Sequence, residues 1–464
     1  MFIGREKELA LLQQDYIGKA AMVYGKRRVG KTTLIQKALK SSSYRTVYFE
    51  CLKGTMQDNI SGFVQELVRA KILPVPLNFG TLQDVFAYLN ALPEKIVVVI
   101  DEYPYLKAMN DSATVDSIFQ NIIDNRLVNI ELILSGSHIG MMKDALQEKN
   151  ALYGRFAVTI KLNELNYLEA AKFYPDKTPY DKAAHYAVFG GSPFVNQALQ
   201  PTATIRENII STILNPMSAV YLYASQLLLS DYSVKINAER IFSVIGNGKK
   251  RYTEIEDKLD VKKTGNLSKQ IKSLIDLEII ARNSPINKIG DNKKSTFEIN
   301  DNLLRFYFTF IYKNASALQV LGAEAFYDEY IAPALTDFIS RRFEGICRDY
   351  FSHQVRSGKM KGVRNIGSYY YDDPAHRKNG EFDVALEFAD GYGIYEAKYY
   401  AQPMTLDEIH REVQQVEAIK ELTVKQIGFI AINGFAEKEE PYLYLDGNNI
   451  FANEKVLYGK YDVE

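Results

Sequence analysis

The segment that most constrains this chain lies near its start. Residues 20–24 form a short apolar run, which leads into Gly25-Lys-Arg-Arg-Val-Gly30-Lys31-Thr32, and residues 33–40 then read as a helix. The loop fits G-x-x-x-x-G-K-[ST], and a strand before it with a helix after it is the context the pattern requires. Glycines let a backbone wrap a phosphate without Cβ clashes. The N–H groups at the helix N-terminus point inward, where the dipole favours an anion. Lys31 would reach the β- and γ-phosphates of ATP, and Thr32 would offer its hydroxyl to Mg²⁺. Arg28 and Thr33 are further candidates for nucleotide contact. The bland alternative is a glycine turn with a solvated lysine.

The surrounding pattern sets the fold class. Apolar runs at 20–24, 45–50, 95–100, 131–137 and 157–162 alternate with helical stretches. Continuous apolar strands suit a parallel sheet covered on both faces. Five of them with helical crossovers predict a doubly wound α/β core. The third run ends in Asp101-Glu102. An acid at the carboxyl end of a buried parallel strand sits where ligands bind in such sheets. Asp101 would hold Mg²⁺, and Glu102 would orient or deprotonate the attacking water; the alternative is a helix N-cap ahead of Tyr103-Pro104.

Weaker signals follow. Ser135 and Ser137 end the next strand and read either as γ-phosphate sensors or as loop serines. Arg155 reads equally as an arginine finger on a neighbouring subunit of a homo-oligomer and as a surface ion pair. Gly190-Gly191-Ser192-Pro193 interrupts a helical stretch (163–228), as a lid over the base or as an ordinary helix–helix turn.

Length and composition bound the rest. At 464 residues the chain predicts about three domains. Lys plus Arg total 56 against 57 Asp plus Glu, a net charge of −1, which excludes a uniformly basic nucleic-acid coat. Two cysteines, Cys51 and Cys347, build neither a disulfide framework nor a cysteine metal site, as expected in a reducing cytoplasm. The first residues carry charges where a signal peptide needs an apolar core, and no window offers 18 apolar residues for a membrane span.

Phe-Ile-Gly-Arg-Glu (2–6), the 25–32 loop, Val-Val-Val-Ile-Asp-Glu (97–102), Ile-Leu-Ser-Gly-Ser (133–137), Tyr-Gly-Arg (153–155) and Phe-Gly-Gly-Ser-Pro (189–193) occur in this order. The set resembles the prokaryotic archaeal-type ATPases, which belong to the AAA+-related signal-transduction ATPases with numerous domains. The resemblance covers roughly residues 1–230. It implies that the loop and the Asp-Glu pair bind and hydrolyse ATP. It also implies that the segment containing Gly4 and Arg5 lies by the adenine, and that the turn with Gly191 and Pro193 closes over the nucleotide.

Residues 235–300 change character. Three helical stretches with breaks at Gly246/Gly248 and near Gly265 precede two strand-like stretches around a polar segment with Lys288, Lys293 and Lys294. The third stretch places Leu267, Ile271, Leu274 and Ile275 on one face and leaves Lys269 and Lys272 off it. This outlines a winged helix-turn-helix, with the third helix in a DNA major groove and the hairpin on the backbone. The alternative is a protein-interaction domain with a solvated lysine face. Residues 301–312 resemble the aromatic segment that follows this domain in the ATPase family.

The last third carries a second constellation. Residues 341–364 hold seven Lys/Arg (Arg341, Arg342, Arg348, Arg356, Lys359, Lys361, Arg364) against two acids, which suits a phosphate backbone or a solvated face. Asp390-Gly391 is a two-residue hairpin signal between alternating stretches. With that turn, Asp383 faces Lys398 and Glu396 sits opposite Ala385. Glu381, Asp383, Glu396 and Lys398 then share one face, and Phe382, Val384, Leu386 and Phe388 the other. Paired carboxylates hold a hard cation such as Mg²⁺, which activates water and stabilises a scissile phosphate. Asp…Glu-x-Lys resembles the PD-(D/E)XK restriction-endonuclease-like nucleases. The resemblance implies that Asp383 and Glu396 are metal ligands and that Lys398 is catalytic. It matches Glu344 to the helical acid, and Gln414 or Gln415 to the polar residue of the following helix. Glu-Phe-Asp stands where the family has Pro-Asp.

The expectation is therefore an α/β multidomain chain: a P-loop core (1–162), a helical lid (163–230), a winged helix (231–315) and an α/β nuclease-like domain (316–464). It would hydrolyse ATP with Mg²⁺ in the cytoplasm and engage DNA. It would also be a Mg²⁺-dependent deoxyribonuclease under nucleotide control, or a nucleotide-switched scaffold whose nuclease-like domain is inactive.

Overall fold

The computed structural model describes residues 2–224, 238–246, 248–260, 266–373 and 378–452. The expected domain boundary at 230–231, the helix start at 235–237 and the break near Gly265 lie outside these residues. The four expected segments fall into two compact units, Met1–Leu165 with Ser192–Phe194, and Asn166–Gly191 with Val195–Glu464. No helix among the described residues is long and apolar enough to cross a membrane. Cys51 and Cys347 are buried free thiols.

The first unit is built on five parallel strands: β1 (Ala20–Tyr24), β2 (Arg45–Glu50), β3 (Ile96–Asp101), β4 (Ile130–Gly136) and β5 (Phe156–Lys161), in the spatial order β2-β3-β4-β1-β5. The three inner strands are buried at every residue, as continuous apolar runs require. Their side chains alternate between two cores. Met22, Val98, Ile100 and Leu134 pack with Phe63, Phe86 and Phe119 on one face. Val23, Val97, Val99 and Ile133 pack with Leu34 and Ile35 of the helix Lys31–Lys40 on the other. The sheet is thus doubly wound, and the carboxyl ends of β1, β3 and β4 form one edge.

A buried ion pair fixes the chain behind that edge. Lys107 Nζ lies 2.8 Å from Asp116 Oδ2, with side-chain exposures of only 3% and 4%. Tyr103 donates its hydroxyl to Asp116 at 2.5 Å, and Asn150 donates to the same carboxylate at 2.9 Å. The ring of Tyr103 meets Phe119 edge-on, with 5.0 Å between centroids.

In the second unit, three helices (Ala238–Ile245, Tyr252–Leu259, Asn266–Asp276) pack on a small antiparallel sheet of β6 (Lys250–Arg251), β7 (Ile280–Asn283) and β8 (Thr296–Ile299). Leu267, Ile271 and Leu274 are buried with Ile241, Phe242 and Phe297, and Ile275 is partly buried against them. Lys269 and Lys272 are exposed.

The larger sheet has the order β13-β12-β11-β10-β9. Its strands are β9 (Asn365–Asp373), β10 (Lys378–Phe388), β11 (Gly391–Lys398), β12 (Val424–Ala431) and β13 (Leu443–Asp446). β9, β10 and β11 form an antiparallel meander, and β12 and β13 add in parallel. The helix Ala332–Arg356 precedes the meander and the helix Leu406–Glu417 links β11 to β12.

Helices from the expected lid region pack within this unit. Tyr180 stacks on Tyr399, with 4.3 Å between centroids, and Tyr167 donates to Ile450 O at 3.0 Å.

Candidate active sites

At the carboxyl edge of the first unit, the 25–32 loop closes between β1 and its helix. A Cβ on Gly25 would stand 2.1 Å from Leu162 O, so only glycine fits there. Gly30 adopts φ 95° and caps the helix N-terminus, a conformation that L side chains avoid. Lys31 is buried and donates to Gly25 O at 3.0 Å and Lys26 O at 2.9 Å. These loop carbonyls are partners that phosphate oxygens can replace.

Thr32 Oγ1 donates to Asp101 Oδ2 at 3.3 Å, and Tyr48 donates its hydroxyl to the same oxygen. Hydroxyl and carboxylate together are the hard oxygen pair that Mg²⁺ takes, so the residues fit the cation. Asp101 Oδ1 accepts from the Glu102 N–H at 2.9 Å. Glu102 itself adopts φ 49°, a strained backbone for a glutamate. Ser137 holds its carboxylate twice, from Oγ at 2.6 Å and from the backbone N–H at 3.2 Å. Glu50, the strand partner of Asp101, is an additional acid. Burial, together with the Asp101 and Glu102 charges, pushes its carboxyl up.

Other expected residues fall in defined places. Ser135 is fully buried, and its hydroxyl has no hydrogen-bond partner among the described residues. Arg5 is buried with φ 69°, following Gly4 at φ 68°. Its guanidinium donates to Val29 O at 3.4 Å and to Asn163 O, so it ties the phosphate loop to the segment after β5. Arg28 lies 3.9 Å from the Phe194 ring centroid, and Ser192 Oγ donates to Arg28 O at 3.3 Å. Pro193 approaches Gly30, so the 192–194 segment clasps the loop. Thr33 is an exposed residue of the first helical turn. Arg155 forms a bidentate pair with Asp124 at 2.9–3.2 Å within its own unit, and would have to leave it to serve as a finger.

The second constellation sits on β10 and β11. The pairing there differs from the expected register. Phe388 pairs with Gly391 and Val384 with Tyr395, so Ala389-Asp390 is the turn and the register moves by two residues. Gly391 is needed for close approach rather than for the turn: its Cβ would stand 2.7 Å from Thr423 O. Asp383 therefore lies beside Glu396 and Ala397, not opposite Lys398, and its Oδ2 accepts from the Ala397 N–H at 3.3 Å.

The expected apolar face is also corrected. Between Phe382↔Tyr369 and Ala385↔Gly367, two residues of β10 oppose one of β9, which is a β-bulge at Asp383-Val384. The extra residue changes the alternation. Phe382 and Ala385, not Phe382 and Val384, share a core with Ile394 and Val416. Glu381 does not join the acids; it is exposed and accepts from Ser368.

Lys398 Nζ lies 2.6 Å from Glu396 and 3.0 Å from Glu412 of the following helix. Glu412 is thus the polar residue that reaches the site. Gln414 is exposed and Gln415 donates to the Tyr371 hydroxyl at 2.7 Å. Glu344 lies 3.5 Å from Lys249, and Arg348 donates to the Asp383 carbonyl at 2.6 Å. Burial and the charges of Glu396 and Glu344 push the Asp383 carboxyl well above its ordinary range. Burial pushes Glu396 up to about 7 against the pull of Lys398. Buried like charges of this kind are the donor set a divalent cation would stabilise. Among the described residues, however, no three His, Cys, Asp or Glu side chains converge on one metal position.

The basic features are partly committed elsewhere. Arg342 lies 3.5 Å from Glu298, whereas Arg356, Lys359, Lys361 and Arg364 are exposed. The 284–295 hairpin, expected as a free wing, packs on β9. Ile286 is buried against Tyr369, Asn287 exchanges two hydrogen bonds with the Tyr370 backbone at 2.7 and 3.0 Å, and Lys294 sits 3.9 Å over the Tyr370 ring. Lys288 and Lys293 stay exposed.

Tyr48, Glu50 and Glu412 escape a reading based on motifs. The signal for the first two is the alternation of β2, which puts both on one face beside β3. Glu412 borders the buried stripe Ile409, Val413 and Val416.

Comparison with known proteins agrees with the first site. Residues 2–195 match the family model of an ATPase domain predominantly from Archaea. Residues 307–413 match a model described as Archaea bacterial proteins of unknown function. An uncharacterized protein of Methanocaldococcus jannaschii is 27% identical over 368 residues, 78% of this chain and 79% of that protein. Among solved structures, the Walker-type ATPase of Pyrococcus abyssi aligns at TM-score 0.49 and 18% identity, over 66% of this chain and 96% of that one. The ORC2 protein of Aeropyrum pernix, in ADPNP–ADP complexes, aligns at TM-score 0.47 and 11% identity, over 66% and 92%. The first unit thus holds nearly all of the segment that matches the archaeal ATPase domain model.

Proposed function

We propose that this chain is an AAA+-type ATPase whose nucleotide state governs how its second unit engages and cuts DNA. The observation that carries the reading is the strand-end constellation of Lys31, Thr32, Asp101 and Glu102, with Glu102 held by Ser137.

In this reading Lys31 and the loop N–H groups exchange their internal partners for the phosphates of ATP. Thr32 and Asp101 would hold Mg²⁺, which supplies charge neutralisation at the phosphate oxygens when bound. Glu102 takes the proton of the attacking water, and Ser137 keeps its carboxylate aimed. Tyr48 fixes the Asp101 rotamer.

The order helix, strand, two helices and two strands at 238–299 supports the reading of this segment as a winged helix-turn-helix. Lys269 and Lys272 on its third helix are the groups for DNA phosphates. The hairpin serves as a support on β9 more than as a backbone contact. On the larger sheet, Asp383 and Glu396 would hold a divalent cation, and Lys398 would neutralise the scissile phosphate; Glu344, drawn toward Lys249, does not converge on them. A cation there supplies activation of water.

One observation favours a second reading. Lys398 is closed into Glu396 and Glu412, which suits a nucleotide-switched scaffold with a silent acidic site. Two experiments decide. Lys31→Ala should abolish ATP turnover, and unchanged turnover would remove the ATPase mechanism. Mg²⁺- or Mn²⁺-dependent cleavage of plasmid and single-stranded DNA should be lost in Asp383→Ala and Lys398→Ala. Absence of cleavage under all conditions, with turnover intact, selects the scaffold.

A further inference from the structure

Glu131 is a carboxylate on a strand face of the first unit that is otherwise apolar. It sits near the start of β4, beside Val97 of β3, and period two puts it on the face of Ile133, under the helix Lys31–Lys40. The residue is 4% exposed. Among the described residues no side chain donates to it and no cation pairs with it; the Tyr16 N–H is the one donor near it. Burial pushes its carboxyl up to about 7 against the pull of that N–H, and the Asp15 charge adds to the rise. An ionised carboxylate has room for about four donors, so this one is left short.

Glu131 lines a cavity of about 160 Å³ at the amino edge of the sheet. Leu12, Ala38, Val97 and Ile133 give this space a buried apolar wall, and Gln13, Ser41 and Ser43 give it an exposed polar mouth. Every charge on the lining is negative. Asp15 is the second acid, and the Ile17 N–H and the Tyr44 hydroxyl, at 3.0 and 2.9 Å, hold its carboxyl below the usual range. The helix Lys31–Lys40 ends at Ser41, so the negative end of its dipole meets the cavity as well. Its last-turn lysines do not line the space: Lys37 sits 4.3 Å over the Phe2 ring, and Lys40 is exposed. Lys19 and Lys95 act on Asp15 from outside the lining. The occupant is therefore a cation. Among the described residues no third His, Cys, Asp or Glu joins the two acids, so a divalent metal lacks its donor set. A bare monovalent ion would leave the apolar wall uncovered. No large apolar side chain is exposed at the mouth to seat a protein. The volume is that of a small organic molecule, since a cavity of about 150 Å³ takes benzene.

We propose that this cavity binds a small primary alkylammonium, with its N–H groups on Glu131 and its alkyl stem along Leu12, Ala38, Val97 and Ile133. An ammonium carries three donors and no acceptor, which matches a carboxylate short of donors. The cavity lies at the edge of the sheet opposite Lys31, so the amine and the nucleotide take different ends of one helix and do not compete.

Titration calorimetry of the full chain with n-butylammonium chloride, at pH 8 and fixed ionic strength, should show one amine per chain. Glu131→Gln keeps the shape and removes the charge, and should weaken binding at least ten-fold. Ala38→Leu fills the apolar wall without touching Glu131 and should act in the same direction. Both variants should keep the circular dichroism of the parent, and Lys31→Ala should bind the amine as the parent does. n-Butanol, which lacks the charge, and tetramethylammonium, which lacks the N–H donors, should each bind at least ten-fold more weakly. From pH 8 to pH 6 the affinity should fall about ten-fold, because the amine must displace a proton from Glu131. Asp15 stays ionised over that range, and Tyr16, pushed up by burial and the Glu131 charge, stays protonated. No butylammonium binding, or binding indifferent to Glu131→Gln, would overturn the proposal. Potassium or tetramethylammonium bound as tightly as butylammonium would make this a bare-cation site and overturn the amine assignment. A lysine peptide bound more tightly than butylammonium would assign the cavity to a protein partner and overturn it as well.

Discussion

The buried Lys107–Asp116 pair makes a strong test of how the ATPase unit is held together. Both side chains are almost completely excluded from water, and the carboxylate also accepts from Tyr103 and Asn150. Lys107→Met removes the cation and leaves a buried carboxylate with two neutral donors. Breaking one side of such a pair costs about 3–5 kcal/mol. Asp116→Asn leaves the Lys107 ammonium stranded and should cost a similar amount. The double variant removes both charges and keeps a carbonyl acceptor for Tyr103. Only the Asn150 amide is then left short of a partner, so its cost should be about 1–2 kcal/mol. The coupling between the two sites is therefore large and favourable to the double change. The assay is amide hydrogen exchange of peptides spanning 104–125, because local opening can be read in a multi-unit chain where a single global transition cannot. At about 1.4 kcal/mol per decade, each single change should raise opening by roughly two to three and a half decades, and the double by about one. Single changes costing under about 1 kcal/mol would refute the argument from burial. Additive costs in the double would refute the pairing itself.

Three further outcomes follow from the two sites. Glu396 is held up at about 7 from an ordinary 4.5, so the folded chain binds its proton more tightly than the unfolded chain. Its stabilising effect is therefore complete below about pH 4.5 and lost as pH rises to about 7. Glu396→Gln should leave hydrogen exchange of peptides spanning 391–398 unchanged at pH 4.5 and slow their opening at pH 8, and faster opening of the variant at pH 8 would contradict the assignment. Ser137→Ala releases the side-chain hold on Glu102 and keeps the backbone one; ATP turnover should fall about ten-fold with little change in KM, as expected for lost aim of a general base. Gly25→Ala puts a methyl against the Leu162 carbonyl and should abolish nucleotide binding in a chain that still shows its β-sheet circular dichroism.

Most of the ATPase unit is legible in the sequence because its physics is local. Each inner strand is a continuous apolar run, since both its faces are covered, and Gly30 meets its left-handed backbone at the helix start within one short segment, although Gly25 answers to the Leu162 carbonyl far along the chain. Tyr48 and Glu50 are not legible in the same way. They look like ordinary strand residues, and only the β2–β3 register brings them to Asp101. Arg5 shows the opposite limit. Its position near the loop follows from the family pattern, but its bonds to Val29 and Asn163 depend on a left-handed backbone that no propensity signals.

The acidic site was harder to read because it rests on a place where period two fails. A two-residue register change preserves which face each side chain takes, so reading Asp390-Gly391 as the turn still leaves Glu396 and Lys398 together. The bulge at Asp383-Val384 does not preserve it. One extra residue in β10 sends Phe382 and Val384 to opposite faces and sets Asp383 apart from the ladder, beside Ala397. Nothing in Glu-Phe-Asp-Val announces that insertion. What stabilises it lies far along the chain. Ile286 of the hairpin seats against Gly367, at 2.5 Å from where a Cβ would stand, and Gly367 is the strand partner of Ala385 just past the bulge. Arg348 holds the Asp383 carbonyl from the opposite helix. The geometry of β10 at Asp383 is thus set by two contacts from other modules, a hairpin and a helix, and not by the strand that carries the acid. A side chain re-aimed in this way can be positioned only after those modules have packed, which is why its neighbours in space could not be named from its neighbours in sequence.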